Sequence, residues 1–267
     1  MKKKYNLIGN SFTHLTGGNK GYSVHGKESQ YVEWVFDLSA DDTVYVDANI
    51  NQAFTDGLDG IKYGWLLESK FVVPGIAEEI AANVEEYFKV FKYIFTHNKE
   101  LLSLDNRFKW CPAQGFWIKQ PKIYEKTKMI SMISSNKAFT EGQKTRLDWL
   151  ERFKDQVDIY GRGINPIDNK EDGLCDYMFS VVIENGVYES YYTEKILDCF
   201  ATGTIPVYLG SPDIGEHFNK DGIIELSEEF DVSEEIYQSK LDAIVENLEK
   251  VKGLEVLEDF IYINYLK

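Results

Sequence analysis

Short apolar runs of strand length alternate along this chain with stretches whose apolar residues recur at helical spacing. Residues 5–8, 43–46, 64–67 and 93–96 are runs of the first kind, and residues 76–88 form a long amphipathic stretch of the second. Residues 29–36 are read as a further helix. Alternation of this kind predicts a parallel sheet, because parallel neighbours must be joined by a crossover, usually a helix. The stretch 109–122, KWCPAQGFWIKQPK, breaks the alternation with two prolines and a glycine and predicts a passage between domains. The series then restarts with a strand at 128–133, a helix at 140–153 and strands at 157–160, 178–183, 205–209 and 222–226, before two terminal helices. The expected organisation is a first Rossmann-like domain over 1–118 and a second over 119–252. A final helix over 253–267, apolar on much of its surface, is expected to pack back on the first domain.

The densest chemistry lies between Tyr177 and Pro212. An apolar run reads as a buried parallel strand and ends in Glu184-Asn185-Gly186, so an amide and a carboxylate emerge at its carboxyl end, where ligands of open α/β sheets bind. Thr193 then caps a helix whose apolar residues are Ile196, Leu197, Phe200 and Ala201, and Gly203 stops it. A helix start offers free backbone N–H groups and the positive end of a dipole. With Lys195 beside them, these suit a pyrophosphate.

Phe179, Glu184, Asn185, Tyr191, Thr193, Glu194, Lys195, Pro206, Val207, Leu209 and Gly210 fall on the pattern F-x-x-x-x-E-N, variable loop, Y-x-T-E-K, helix, P-V-x-L-G. In this the chain resembles glycosyltransferase family 10, the α1,3/α1,4-fucosyltransferases. The resemblance implies GT-B architecture, two Rossmann-like domains facing across a cleft. It also implies transfer of fucose, or a related sugar, from a GDP-sugar to a glycan hydroxyl. By the same resemblance Glu194 serves the nucleotide, where it could accept two ribose hydroxyls; Asn185 and Tyr191 contact phosphate or sugar, and Glu184 hydrogen-bonds the sugar. Ser135, Asn136 and Arg146 match the S-N-x(n)-R segment, and Tyr160 and Gly161 the Y-G segment. Glu68, in YGWLLES, matches the family's proposed catalytic glutamate. Two positions depart from the pattern: Lys70 stands where proline is common, and Met178 where a lysine is frequent.

Each residue also has a plainer reading. Arg146 could pair with Glu141 or Glu151 on a helix surface, and Glu194 could be a capping acid. Tyr191 could be packing, Glu68 could pair with Lys70, and Arg162 could be either a solvated loop residue or a base or phosphate contact. His14 and His25, in a Gly-rich loop, are candidates for the acceptor side, while His97 and His217 look structural. Two rival functions remain at this point: the same fold with another nucleotide-sugar donor, and a catalytically silent GT-B module.

Diphosphate departure needs positive charge, and many transferases supply it with a metal held by Asp-x-Asp. No Asp-x-Asp occurs in the chain, so the expectation is a metal-independent enzyme with no cofactor, in which Lys195, Arg146 and the helix start carry the charge, and the resemblance implies an inverting one. A net charge of -15 argues against nucleic acid as partner, leaving a nucleotide-sugar donor and a glycan acceptor. Three cysteines, an odd number in apolar surroundings, read as reduced thiols. No apolar run reaches the roughly 20 residues of a membrane span, so the resemblance points to a soluble, cytoplasmic form of bacterial or viral type. Oligomeric state is not addressed by any of these patterns.

Overall fold

The computed structural model describes residues 1–9 and 27–267, which divide into two compact units: Met1–Gly115 with Glu255–Lys267, and Phe116–Leu254. His14 and His25 lie outside the described residues.

The first unit is built on β1 (Lys3–Ile8), β2 (Val32–Val35), β3 (Thr43–Val46), β4 (Lys62–Leu66), β5 (Phe91–Thr96) and β6 (Phe108–Trp110). All are parallel, in the order β2-β1-β3-β4-β5-β6. The helix expected over 29–36 is instead β2. Val32, Trp34 and Val35 are buried there, and β-branched and aromatic residues gain more from packing on a sheet face than from a short helix. The long helix expected over 76–88 is two, α1 (Ile76–Ala82) and α2 (Val84–Val90), separated at Asn83, whose φ of -134° and ψ of 35° leave the helical region. A 3-10 helix (Asp47–Phe54) and α3 (Lys99–Leu104) complete the crossovers.

The second unit carries β7 (Lys128–Ile133), β8 (Asp158–Tyr160), β9 (Tyr177–Ile183), β10 (Ile205–Leu209) and β11 (Ile224–Glu225), again parallel, in the order β11-β10-β9-β7-β8. Its helices are α4 (Glu141–Phe153), α5 (Glu194–Thr202), α6 (Glu234–Ser239) and α7 (Leu241–Lys252). Every residue of β9 is buried, because helices cover both faces. Val182 packs with Ile196, Leu197 and Phe200 of α5 on one side, while Val181 and Ile183 join Ile244 of α7 and Tyr237 of α6 on the other. From β7 the chain passes to β8 on one side and then to β9 on the other, so strand order reverses between β7 and β9. Crevices at such reversals are where doubly wound sheets take ligands.

The last helix, α8 (Leu257–Ile261), runs into a π-helical turn, Tyr262–Leu266, and packs within the first unit. Asp259 accepts from Ser29 Oγ at 2.5 Å, Gln30 N at 2.9 Å and Tyr31 N at 3.1 Å. Trp34 Nε1 donates to Glu258 at 3.2 Å. Among the described residues no helix is long and apolar enough to cross a membrane.

Candidate active site

A hollow of about 210 Å³ opens at the reversal point of the second sheet. Ser134 and Ser135 line it from the end of β7, Gly161 and Arg162 from the end of β8, and Ser180 to Ile183 from β9. Arg146 of α4, Lys170, and Glu194, Lys195, Asp198 and Cys199 of α5 close it.

The start of α5 is tied down by one buried carboxylate. Glu184, 1% exposed, accepts from Thr193 N at 2.9 Å, from Thr193 Oγ1 at 2.7 Å and from Lys195 Nζ at 3.3 Å. Thr193 caps the helix by accepting from Lys195 N at 3.4 Å and also accepts from Lys195 Nζ at 2.9 Å. Lys195 lies 3.4 Å from Glu194 as well. Burial works against its charge, but Glu184 and Glu194 outweigh it and hold the ammonium above its ordinary pKa. At neutral pH Lys195 is therefore a fixed cation at a helix start, an arrangement that attracts phosphate.

Arg146 is 8% exposed and reaches the hollow from α4, whose capping box at Thr140 and Gln143 sets the helix start. Its Nη2 donates to Asn185 Oδ1 at 2.8 Å, while its buried Nε has no hydrogen-bond partner among the described residues. Burial lowers its pKa, opposed by Glu184 and Glu194, and a guanidinium remains charged under these conditions. A buried N–H donor left without an acceptor is costly.

The hollow thus gathers Ser135, Arg146, Gly161, Arg162, Glu194 and Lys195 of the residues singled out from the sequence. Glu184 and Asn185 stand behind it, holding Lys195 and Arg146. Asn136, Tyr160 and Tyr191 do not line it. Tyr160 shares a 2.7 Å hydroxyl contact with Tyr177, which donates to Asp158. The Tyr191 ring, 1% exposed, stacks on Tyr188 with centroids 4.7 Å apart. Asn136 N donates to Arg162 O at 3.2 Å, joining the loops after β7 and β8. Gly161 permits that close approach: its φ is +128°, and a Cβ would fall 1.8 Å from Ser134 O.

Lys170 and Asp198 were not among the candidates from sequence. Asp198, 1% exposed, accepts from Trp117 N at 2.6 Å and Lys170 Nζ at 2.7 Å, and Lys170 is 3.6 Å from Glu194. Asp198 lies one helical turn after Glu194, so its spacing was the available signal; Lys170 follows a polar loop and gave none.

Glu68 belongs to the first unit, just beyond β4. Its backbone N and that of Leu67 donate to Asp47 Oδ1 at 3.0 and 2.8 Å, and Ser69 O accepts from Val72 N and Val73 N, so the turn around it is fixed.

Residues 123–250 match the family model described as "Glycosyltransferase family 10 (fucosyltransferase) C-term". A stretch of 60 residues is 37% identical to an α-(1,3)-fucosyltransferase of Helicobacter pylori, covering 22% of this chain and 13% of that protein. Another of 75 residues is 35% identical to a "GDP-fucose protein O-fucosyltransferase 3" of Bos taurus, covering 23% of this chain and 16% of that protein. The matches therefore span well under a fifth of each curated relative. In three dimensions, 97% of the chain superposes on 84% of a solved α1,3-fucosyltransferase at a TM-score of 0.55 and 15% identity. A GDP-fucose complex of an α1,3-fucosyltransferase covers 94% of this chain and 81% of its own, also at 0.55 and 15%. At that identity the likeness is one of fold, and the fold is GT-B.

Proposed function

We propose that this chain, whose residues 123–250 match the model of the fucosyltransferase-like glycosyltransferase family 10, moves fucose from GDP-fucose to a glycan hydroxyl with inversion and without a metal. The observation that carries this reading is the convergence of Lys195, the start of α5 and the guanidinium-bearing side chain of Arg146 on one hollow at the strand reversal.

The acceptor oxygen attacks the anomeric carbon from the face opposite the nucleotide, and the carbon–oxygen bond to the β-phosphate breaks with its electron pair on the diphosphate. Lys195 and Arg146 meet that developing charge, which is where fixed cations lower a barrier most. Glu194, 20% exposed at its side chain, is the partner for ribose hydroxyls. Glu68 takes the acceptor proton. The reading of Glu68 rests on its resemblance to the family's glutamate segment. Three free thiols, with Cys111 and Cys199 buried and raised in pKa by burial, favour a reducing compartment such as the cytoplasm.

GDP release with GDP-fucose and a glycan panel, with and without chelator, tests the proposal; a strict requirement for added metal defeats the metal-free mechanism. A thermal-shift panel of GDP, UDP, ADP and their sugars decides the donor, because selective binding raises apparent stability. Glu68→Gln is expected to lower kcat by about 100-fold or more with GDP affinity nearly unchanged. Loss of GDP binding in that variant would remove Glu68 from the base role.

A further inference from the structure

The donor hollow contains a cation that the family signature does not include. Lys170, 29% exposed at its side chain, projects into it from a short 3-10 helix (Lys170–Gly173) after the β8 loop, far in sequence from the Y-x-T-E-K segment. Its ammonium sits 2.7 Å from Asp198 and 3.6 Å from Glu194, and Glu194 lies 3.4 Å from Lys195. One carboxylate therefore stands between two lysines. Asp198 cannot follow a moving partner, because its other oxygen accepts from Trp117 N at 2.6 Å and the residue is 1% exposed.

We infer that Lys170 is a third diphosphate-binding cation, which Asp198 holds at the edge of the hollow and which Glu194 neutralises until a nucleotide arrives. The inference rests on the donor reading of the hollow. When Glu194 turns to ribose hydroxyls, Lys170 and Lys195 lose their shared anion together, and a diphosphate between them supplies the missing negative charge. Four cations, Arg146, Arg162, Lys170 and Lys195, line the hollow against Glu194 and Asp198, with Glu184 a third carboxylate behind Lys195. A nucleoside diphosphate fits that balance better than a nucleoside. Asp198 is a positioning residue that acts through Lys170.

Ligand truncation separates this role from a structural one. Titrate GDP and guanosine into the full chain by calorimetry, using wild type, Lys170→Met, Lys170→Arg and the double variant Lys170→Met with Asp198→Asn. The double variant leaves no lone buried carboxylate and guards against misfolding of the single one. Expected is a loss of GDP affinity of about 10- to 100-fold in both Met variants, guanosine affinity within about twofold of wild type, and substantial recovery of GDP binding in Lys170→Arg. If the double variant keeps the wild-type ratio of GDP to guanosine affinity, or loses both ligands equally, Lys170 does not contact phosphate and the inference is overturned. Wild type that binds no GDP at all overturns the donor reading itself, a distinct result.

Discussion

Replacing Glu184 by glutamine separates two roles for this residue, a contact with the donor sugar and an anchor for the start of α5. The side chain is 1% exposed and its oxygens accept from Thr193 N at 2.9 Å, Thr193 Oγ1 at 2.7 Å and Lys195 Nζ at 3.3 Å. Glutamine fills the same volume but sets an NH2 group against one of these donors and removes the charge facing Lys195. One lost hydrogen bond to a charged group, a donor facing a donor, and a weakened buried ion pair together cost roughly 3 kcal/mol. The loss is less than that of a fully orphaned lysine, because Glu194 remains 3.4 Å from Lys195. At an m-value of about 2 kcal/mol/M, the urea midpoint of the second unit falls by about 1–2 M. Because the cap and Lys195 share the anchor, GDP affinity falls about tenfold as well. Urea denaturation followed by circular dichroism and GDP calorimetry are the assays. A midpoint moved by less than about 0.3 M, with GDP affinity intact and weakening confined to GDP-fucose, would refute the anchor and return Glu184 to the sugar.

Further outcomes follow from other buried groups. Burial pushes the pKa of His97 down to about 4, with Leu66 opposing weakly through a backbone hydrogen bond. The folded state therefore keeps His97 neutral, and its contribution is complete above an unfolded pKa of about 6.5 and lost as pH falls toward 4, by about 3 kcal/mol in all. A His97→Gln variant should flatten that part of the stability profile between about pH 6.5 and 4. Gly161→Ala forces a side chain into a φ of +128° with a Cβ 1.8 Å from Ser134 O; a cost of about 1–3 kcal/mol and weaker GDP binding are expected, measured by thermal melt and calorimetry. Asp259→Ala removes the acceptor for Ser29 Oγ, Gln30 N and Tyr31 N, and should destabilise the first unit by about 2–4 kcal/mol while GDP binding persists. Limited proteolysis releasing the last helix early is the readout.

Local patterns along the chain marked every parallel strand except β2 and β6, the passage near residue 115 and the whole of the β9–α5–β10 segment. Those features are local: a continuous apolar run, a capping threonine, a stop at Gly203 in the left-handed region, each readable without knowing what lies across the sheet. Residues 29–36 were misread because four strand residues flanked by polar ones have no periodicity to separate them from a helix; pairing with β1 in parallel register decided the outcome. The break at Asn83 was hidden for the opposite reason, since apolar spacing continues across it.

The site divides along the same line. Arg146, Glu194 and Lys195 could be named from motifs, but their meeting in one hollow depends on strand order, with α4 following β7 and α5 following β9 on either side of the reversal. The bond of Glu184 to the cap of α5, and the arrival of Lys170 from a short 3-10 helix with no motif, were not legible, because electrostatic partners are chosen by distance in space. Short-range propensity is written along the chain, whereas the balance of four cations against nearby carboxylates exists only once the sheet has brought them together.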